Sequence, residues 1–286
     1  MAADVMTIRR RLLGNEMRRL REARGLSLDA AADRIVVDKS KISRMENGKG
    51  PLTKKQLHTL LDMYELRDTK LREELDRLCK DGRSRDLMQP RSSAMPPRLQ
   101  ELMELEEMAD SIFVYEPMVV PGLLQTKEYA EAIMRHFVDG DDEVQRGVTL
   151  RMKRQEIFTR EDGAPRVIFV LDEAALRRQA GSAEVQARQL HRLAEVNRPP
   201  YLTIQLIPFE RGAHHGLYGT FQLFSFREAA LNDLVLVEHQ GGRIFFEQEA
   251  AVEPFQRAAD ALRAYALPSD VSMEMISEIA QRLERE

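Results

Sequence analysis

The sequence predicts an all-α, five-helix N-terminal domain followed by a larger mixed α/β C-terminal domain. Between residues 8 and 80, five segments with apolar residues at helical spacing are joined by very short connectors. The next stretch, 83–97, is polar and rich in proline and serine, which is typical of a linker. Beyond it, strand-like apolar runs are interspersed with amphipathic helices, which indicates a mixed α/β domain.

The limits of the five N-terminal helices follow from their capping residues and glycine stops. Ser27, Asp38 and Thr53 precede the second, third and fourth segments, and Gly25 and Gly48 follow the first and the third. The expected helical segments are 8–24, 27–35, 38–47, 53–64 and 68–80. Segments this short with such brief connectors predict a compact helical domain.

The C-terminal part shows both periodicities. Helices are expected at 99–108, 126–137, 142–159, 182–196, 255–265 and 276–283. Extended or strand-like runs are expected at 112–120, 166–171, 202–207, 220–226, 234–238 and 244–246. We therefore expect a helical domain at 1–82, a linker at 83–97 and an α/β domain at 98–286.

The composition excludes several classes of protein. Cys79 is the only cysteine, so an internal disulfide and a cysteine-based zinc cluster are both excluded. No run of about 18 apolar residues is present, so no transmembrane helix is expected. The segment after Leu13 lacks the apolar core of a signal peptide. We expect a cytoplasmic protein without a cofactor or a structural metal.

The charge is divided unevenly along the chain. Residues 1–55 hold 14 lysines and arginines against 7 acidic residues, whereas the whole chain has a net charge of −4. A basic N-terminal region on an acidic body favours a polyanionic partner that is bound by one end only.

The second and third segments carry the most specific functional signal. Ser27 opens a short helix with apolar residues on one face, and only Val36 and Val37 separate its end from the capping position Asp38. The next helix is cationic on one face and ends at a glycine. Such a pair predicts a helix-turn-helix, whose second helix enters the major groove of DNA.

Two resemblances cover nearly the whole chain. Residues 20–27 (LREARGLS) and 42–48 (ISRMENG) resemble the Cro/phage-repressor type of helix-turn-helix, the xenobiotic-response-element family. A resemblance to actinobacterial regulators of the WhiJ-like group is carried by residues 115–117, 120–126, 171–177, 207–209 and 212–214. The resemblance implies transcription regulation, with small acidic BldB-like proteins as possible partners of the second domain.

The helix-turn-helix resemblance also implies roles for individual residues. The base-reading positions correspond to Lys39, Ser40 and Arg44, with Lys41 nearby, and an arginine can contact guanine O6 and N7 through two hydrogen bonds. In this family type, Arg21 and Glu46 are expected to form a structural ion pair. Helix ends and glycine turns are where phosphate contacts are sought, which gives Ser27, Asn47, Lys49, Lys54 and Lys55. The alternative for each of these charged residues is a solvated surface side chain.

Two positions depart from the resembling family. Many of its members have a glycine where this chain has Val36. The turn must therefore either avoid a left-handed residue or strain a β-branched one. Many members also have a polar residue, available for a phosphate, where this chain has Leu28, whose side chain cannot form a hydrogen bond.

The expected function is sequence-specific regulation of transcription by a homodimer on an inverted-repeat operator in double-stranded DNA. The second domain is expected to bind a small protein or a small-molecule effector and thereby to modulate DNA binding. The alternative is an enzyme with an attached DNA-binding domain. The residues that could form an acid–base or metal site are Asp172, Glu173, His214, His215, Glu238 and His239. No metal-binding or phosphate-loop motif accompanies them. His214 and His215 are expected to be solvent-exposed and to shape a turn or the rim of a binding surface.

Overall fold

The computed structural model describes residues 8–81, 97–160, 163–226 and 232–285. These residues divide into two compact units, one ending at Leu105 and the other beginning at Glu106. The predicted linker, 83–97, lies outside the described residues except for its last position. No helix in the described ranges is long and apolar enough to cross a membrane.

The first unit contains the five helices that the sequence predicts. Their side chains at helical spacing form one core, which includes the buried residues Met17, Ile42, Leu57, Leu61 and Leu75. The helices are α1 (Ile8–Ala23), α2 (Leu28–Arg34), α3 (Lys39–Glu46), α4 (Lys54–Met63) and α5 (Thr69–Asp81).

Two of the three expected caps are formed by side chains. Ser27 Oγ accepts a hydrogen bond from the Ala30 amide, and Thr53 forms a reciprocal capping box with Gln56. Asp38 occupies the N-cap position of α3, but its side chain makes no capping hydrogen bond, so this expectation was wrong. Its main-chain oxygen instead accepts from the Lys41 amide at 2.9 Å, which closes the first turn.

The turn between α2 and α3 contains a β-branched residue in the left-handed region. Val36 has φ of 55°, and 90% of its surface is exposed. The Val37 amide donates to Ala32 O at 3.1 Å, which closes the end of α2 around this residue. Of the two possibilities that the sequence left open, the chain adopts the strained one.

The second unit is built on one mixed sheet of six strands in the order β3-β2-β1-β4-β5-β6. The first three strands are mutually parallel, and β4, β5 and β6 join by antiparallel pairing. The strands are β1 (Ser111–Glu116), β2 (Arg166–Asp172), β3 (Leu202–Ile207), β4 (Phe221–Ser225), β5 (Leu234–His239) and β6 (Gly242–Phe246). The mixed α/β prediction is therefore confirmed.

Helices and sheet form a layered core. Val252, Ala259 and Leu262 of α11 pack on a sheet face that carries Phe113 and Phe221. The remaining helices are α6 (Pro97–Met108), α7 (Lys127–Met134), α8 (Asp141–Arg154), α9 (Glu173–Arg177), α10 (Ala183–Val196), α11 (Glu249–Tyr265) and α12 (Ser269–Leu283).

Two local differences from the expected elements concern helix ends. The helix expected at 126–137 ends earlier, because α7 stops at Met134 and Phe137 is 78% exposed in the following turn. The short helix α9 was not predicted. It forms because Asp172 Oδ1, at the end of β2, accepts from the Ala174 amide at 2.8 Å.

The outer edge of β3 is occupied by groups from other elements. Asn197 Oδ1 accepts from the Ile204 amide at 3.0 Å, and Ser272 Oγ accepts from the Leu206 amide at 3.0 Å. The Leu267 amide donates to Leu206 O at 2.8 Å. These bonds satisfy main-chain groups that an edge strand would otherwise expose.

Candidate DNA-binding surface

The helix pair α2–α3 presents one polar face because its opposite face is buried. Ala31 and Ala32 of α2, with Ile42 and Met45 of α3, lie in the core. On a helix, the residues between such buried positions point outward. The predicted base-reading residues Lys39, Ser40, Lys41 and Arg44 are accordingly all exposed on α3.

The cations of α3 differ in their present partners. Lys39 Nζ lies 2.8 Å from Asp29 Oδ2 on α2. Arg44 Nη2 donates to Lys49 O across 3.4 Å, a long contact that holds the guanidinium near the end of the helix. Lys41 has no side-chain ion pair within the described ranges.

The candidate phosphate-contacting residues fall into two groups. Three have side chains engaged within the unit: Ser27 caps α2, Asn47 Nδ2 donates to Ser43 O at 2.6 Å, and Lys54 Nζ lies 3.2 Å from Asp76 Oδ2. Lys49 and Lys55 are exposed and have no ion-pair partner among the residues that the structure describes. These last two lysines can reach a phosphate without breaking a contact.

Arg21 and Glu46 meet inside the first unit. Arg21 Nε and Nη2 donate to the two carboxylate oxygens of Glu46 at 2.6 and 2.8 Å, and Nη1 donates to Leu26 O at 2.8 Å. The hydrogen bonds that Arg21 donates to Glu46 raise the pKa of Arg21 above its ordinary value, despite the opposing effect of burial. The pair joins α1 to the last turn of α3 and so fixes the orientation of α3.

Two further residues that hold α3 were missed by the sequence reasoning. Arg18 Nη2 donates to Asn47 Oδ1 at 2.8 Å, immediately after α3. At Gly14, a Cβ atom would lie 2.4 Å from Met45 O, so only glycine lets α1 approach the end of α3 so closely. A glycine inside a helical pattern was the available signal for this contact.

The six candidate acidic and histidine residues of the second unit do not form one cluster. At the end of β2, His214 Nε2 lies 3.2 Å from Asp172 Oδ2, and its Nδ1 accepts from the Gly216 amide at 3.1 Å. Glu173 accepts from Arg177 Nε and from the Phe209 amide, both at 2.8 Å. The His214 side chain is 4% exposed, so the expectation of an exposed histidine was wrong there; packing against Tyr115 buries it.

The other members of the set lie elsewhere. His215 is exposed, and Glu238 and His239 stand at the β5–β6 turn. Glu238 Oε1 accepts from Arg243 Nε at 2.6 Å, and His239 Nδ1 accepts from the Gly241 amide at 3.0 Å. Within the described ranges, no three histidine, cysteine or acidic residues are grouped so that they could hold a metal ion.

Comparison with known protein families adds two findings. The model of a helix-turn-helix domain matches residues 12–75, which span α1 to the middle of α5. Neither the curated proteins nor the solved structures contain a match to this chain. Residues 99–278, more than half of the chain, match the family described as "Domain of unknown function (DUF5753)", and the chain belongs to that family.

Proposed function

We propose that this protein is a sequence-specific transcription regulator of the Cro/phage-repressor type that reads DNA bases with α3. The observation that carries the proposal is the cationic exposed face of a helix whose other face is locked in the core. A helix held in this way can enter a major groove without rearranging its own domain.

The proposed reading residues divide the work between bases and backbone. Arg44 makes the two-bond contact to guanine, and Lys39, Ser40 and Lys41 face the neighbouring bases or phosphates. Lys49 and Lys55 neutralise phosphates, with Ser27, Asn47 and Lys54 near the same backbone. Phosphate contacts set the register and the salt dependence of binding, whereas base contacts set the sequence preference.

A single domain of this size buries too little surface for tight specific binding. We therefore propose a homodimer that places two copies of α3 in successive major grooves, about 34 Å apart, on an inverted repeat. Light scattering on the full chain tests this point. A dimer supports it, and a particle of 33 kDa with and without the operator overturns it.

The second unit is proposed to bind a regulatory partner without catalysing a reaction, as in the WhiJ-like group. A small BldB-like protein is favoured over a small-molecule effector because Phe209, Leu217 and Tyr218 are large apolar side chains left exposed on one short segment. The alternative, an enzyme, gains no support from His214, since both of its ring nitrogens already have partners.

The DNA-reading proposal is tested by comparing Arg44→Ala with Lys49→Ala. Sites are first selected from a random DNA pool with the native chain, and both variants are then titrated on the selected and on scrambled duplexes. Arg44→Ala is expected to cost about 1–3 kcal/mol on the selected site and to relax the preference at one base pair of each half-site. Lys49→Ala is expected to weaken binding to both duplexes equally. Unchanged affinity and preference in Arg44→Ala would show that α3 does not read the bases.

A further inference from the structure

A carboxylate of α2 lies among the cations of the proposed reading surface. Asp29, the second residue of α2, places Oδ2 at 2.8 Å from Nζ of Lys39, the first residue of α3. Both side chains are more than half exposed, so the pair stands at the surface that would face DNA. An acidic group at this place opposes the binding of a polyanion.

The pairing makes the two lysines of α3 unequal. Lys39 has its charge compensated by a carboxylate on the neighbouring helix, whereas Lys41 has no ion-pair partner in the described part of the chain. An ion pair with this exposure adds little to the stability of a fold. The Asp29–Lys39 contact is therefore easily exchanged for another, and its main effect falls on ligand binding.

A DNA phosphate near Lys39 would compete with Asp29 for the Lys39 ammonium group. A free lysine that neutralises a phosphate releases condensed counterions and gains affinity from their release. Lys39 must first leave Asp29, and the carboxylate is then left unpaired beside the phosphate backbone. The exchange gives little net gain on a random sequence. The paired acceptors N7 and O6 of a guanine at the correct position offer Lys39 a stronger alternative.

We propose that Asp29 is a positioning residue for specificity: it holds Lys39 and thereby suppresses binding to DNA of random sequence. The inference rests on the proposed function and deepens it by adding a residue that acts against the wrong ligand. Specificity is the difference between the affinities for the correct and the random DNA sequence. Lowering the affinity for random DNA therefore raises specificity without a new contact to the correct site.

Asp33 provides a matched control on the same helix. It is exposed, lies one helical turn after Asp29 and has no ion pair among the described residues. Asp29→Asn and Asp33→Asn change the net charge by the same amount. Only the first releases a cation of α3, so any difference between them reports on Lys39.

The experiment titrates a random-sequence duplex about two helical turns long with the full chain at several salt concentrations. Asp29→Asn is expected to raise the association constant about five- to tenfold near 0.1 M salt and to steepen the plot of log K against log salt by about 0.9, the value for one phosphate. Asp33→Asn is expected to change the constant by less than about twofold and to leave the slope unchanged. In the double variant Asp29→Asn/Lys39→Met, the gain is expected to disappear.

Each other outcome overturns a defined statement. Equal gains in Asp29→Asn and Asp33→Asn, or a gain that persists without the Lys39 ammonium, would show that only net charge matters and would overturn the role of Asp29. If the native chain binds duplex DNA and Asp29→Asn binds it with the same association constant, this inference alone is overturned. Native chain that binds no duplex, random or selected, would overturn the proposed function together with it.

Discussion

Arg21 of α1 and Glu46 of α3, which are 25 residues apart in sequence, form a two-bond ion pair with donor–acceptor distances of 2.6 and 2.8 Å. Both residues are buried. A buried pair of this kind fixes the relative orientation of two elements more than it stabilises the fold, because desolvation offsets most of the attraction. Here the oriented element is the proposed recognition helix.

Removal of one partner of this pair is expected to be costly. Glu46→Ala leaves the Arg21 guanidinium buried without its carboxylate, and we expect a loss of about 3–5 kcal/mol in the free energy of unfolding. Glu22→Ala is the control, because Glu22 lies 3.3 Å from Arg21 Nη2 but is largely exposed, and it is expected to cost less than about 1 kcal/mol. Urea unfolding of both variants measures the difference, and equal losses would contradict a special role for Glu46.

Replacement of Val36 by glycine is expected to stabilise the first unit. Val36 has φ of 55° and its side chain is exposed, so glycine removes strain without removing packing. Relief of about 1–3 kcal/mol is partly offset by the larger entropy of glycine in the unfolded chain, which leaves a gain of about 1 kcal/mol. Thermal unfolding checks this value. Val37→Gly, at a residue without positive φ, is expected to destabilise, and stabilisation by both changes would refute the explanation.

A methyl group at Gly216 is expected to disrupt the turn that buries His214. A Cβ atom there would lie 2.2 Å from Cζ of the buried Tyr115 ring, so the ring or the turn must shift. We expect Gly216→Ala to lower the free energy of unfolding of the second unit by about 1–3 kcal/mol, as for other overpacked sites. His215→Ala, at the exposed neighbour, is expected to change it by less than about 0.5 kcal/mol. Native stability in Gly216→Ala would mean that the ring and the turn separate freely.

Glu116 is expected to make the second unit less stable as the pH rises. Burial raises the pKa of this carboxyl above its ordinary value of 4.5, while hydrogen bonds from the Met118 amide and Thr220 act in the opposite direction. The folded chain therefore holds the proton more tightly than the unfolded chain. The stability contributed by Glu116 is complete below about pH 4.5 and is lost as the pH rises through the raised pKa.

The measurement for Glu116 is the difference in unfolding free energy between Glu116→Gln and the native chain across that range. Glutamine does not ionise, so we expect the difference to shift in favour of the variant as the pH rises. A difference independent of pH would show that the Glu116 carboxyl titrates alike in the folded and unfolded chains.

Local signals predicted most of the elements. Capping residues and side-chain periodicity are local signals, because each extends over only a few residues. They predicted the helices capped by Ser27 and Thr53 and the strand at 202–207. Two of the errors concern the ends of helices. The Asp38 side chain makes no capping hydrogen bond, and α7 ends at Met134, before Phe137.

The parts of the site that escaped prediction depend on contacts between distant segments. The exposure of Lys39, Lys41 and Arg44 follows from the spacing of buried residues along one helix. The contact of Arg18 with Asn47 and the Asp29–Lys39 pair depend on how α1 and α2 pack against α3. Sequence spacing alone does not specify that packing.

The bonds along the outer edge of β3 carry a consequence for how the second unit meets other chains. An uncovered edge strand is a template on which a further strand, from a partner or from a misfolded copy, can add. Because Asn197, Ser272 and Leu267 already occupy the amides and a carbonyl of Ile204 and Leu206, the sheet cannot be extended in that direction. A protein partner must therefore recognise side chains or another edge of the sheet. This edge is also protected against edge-to-edge aggregation with other copies of the chain.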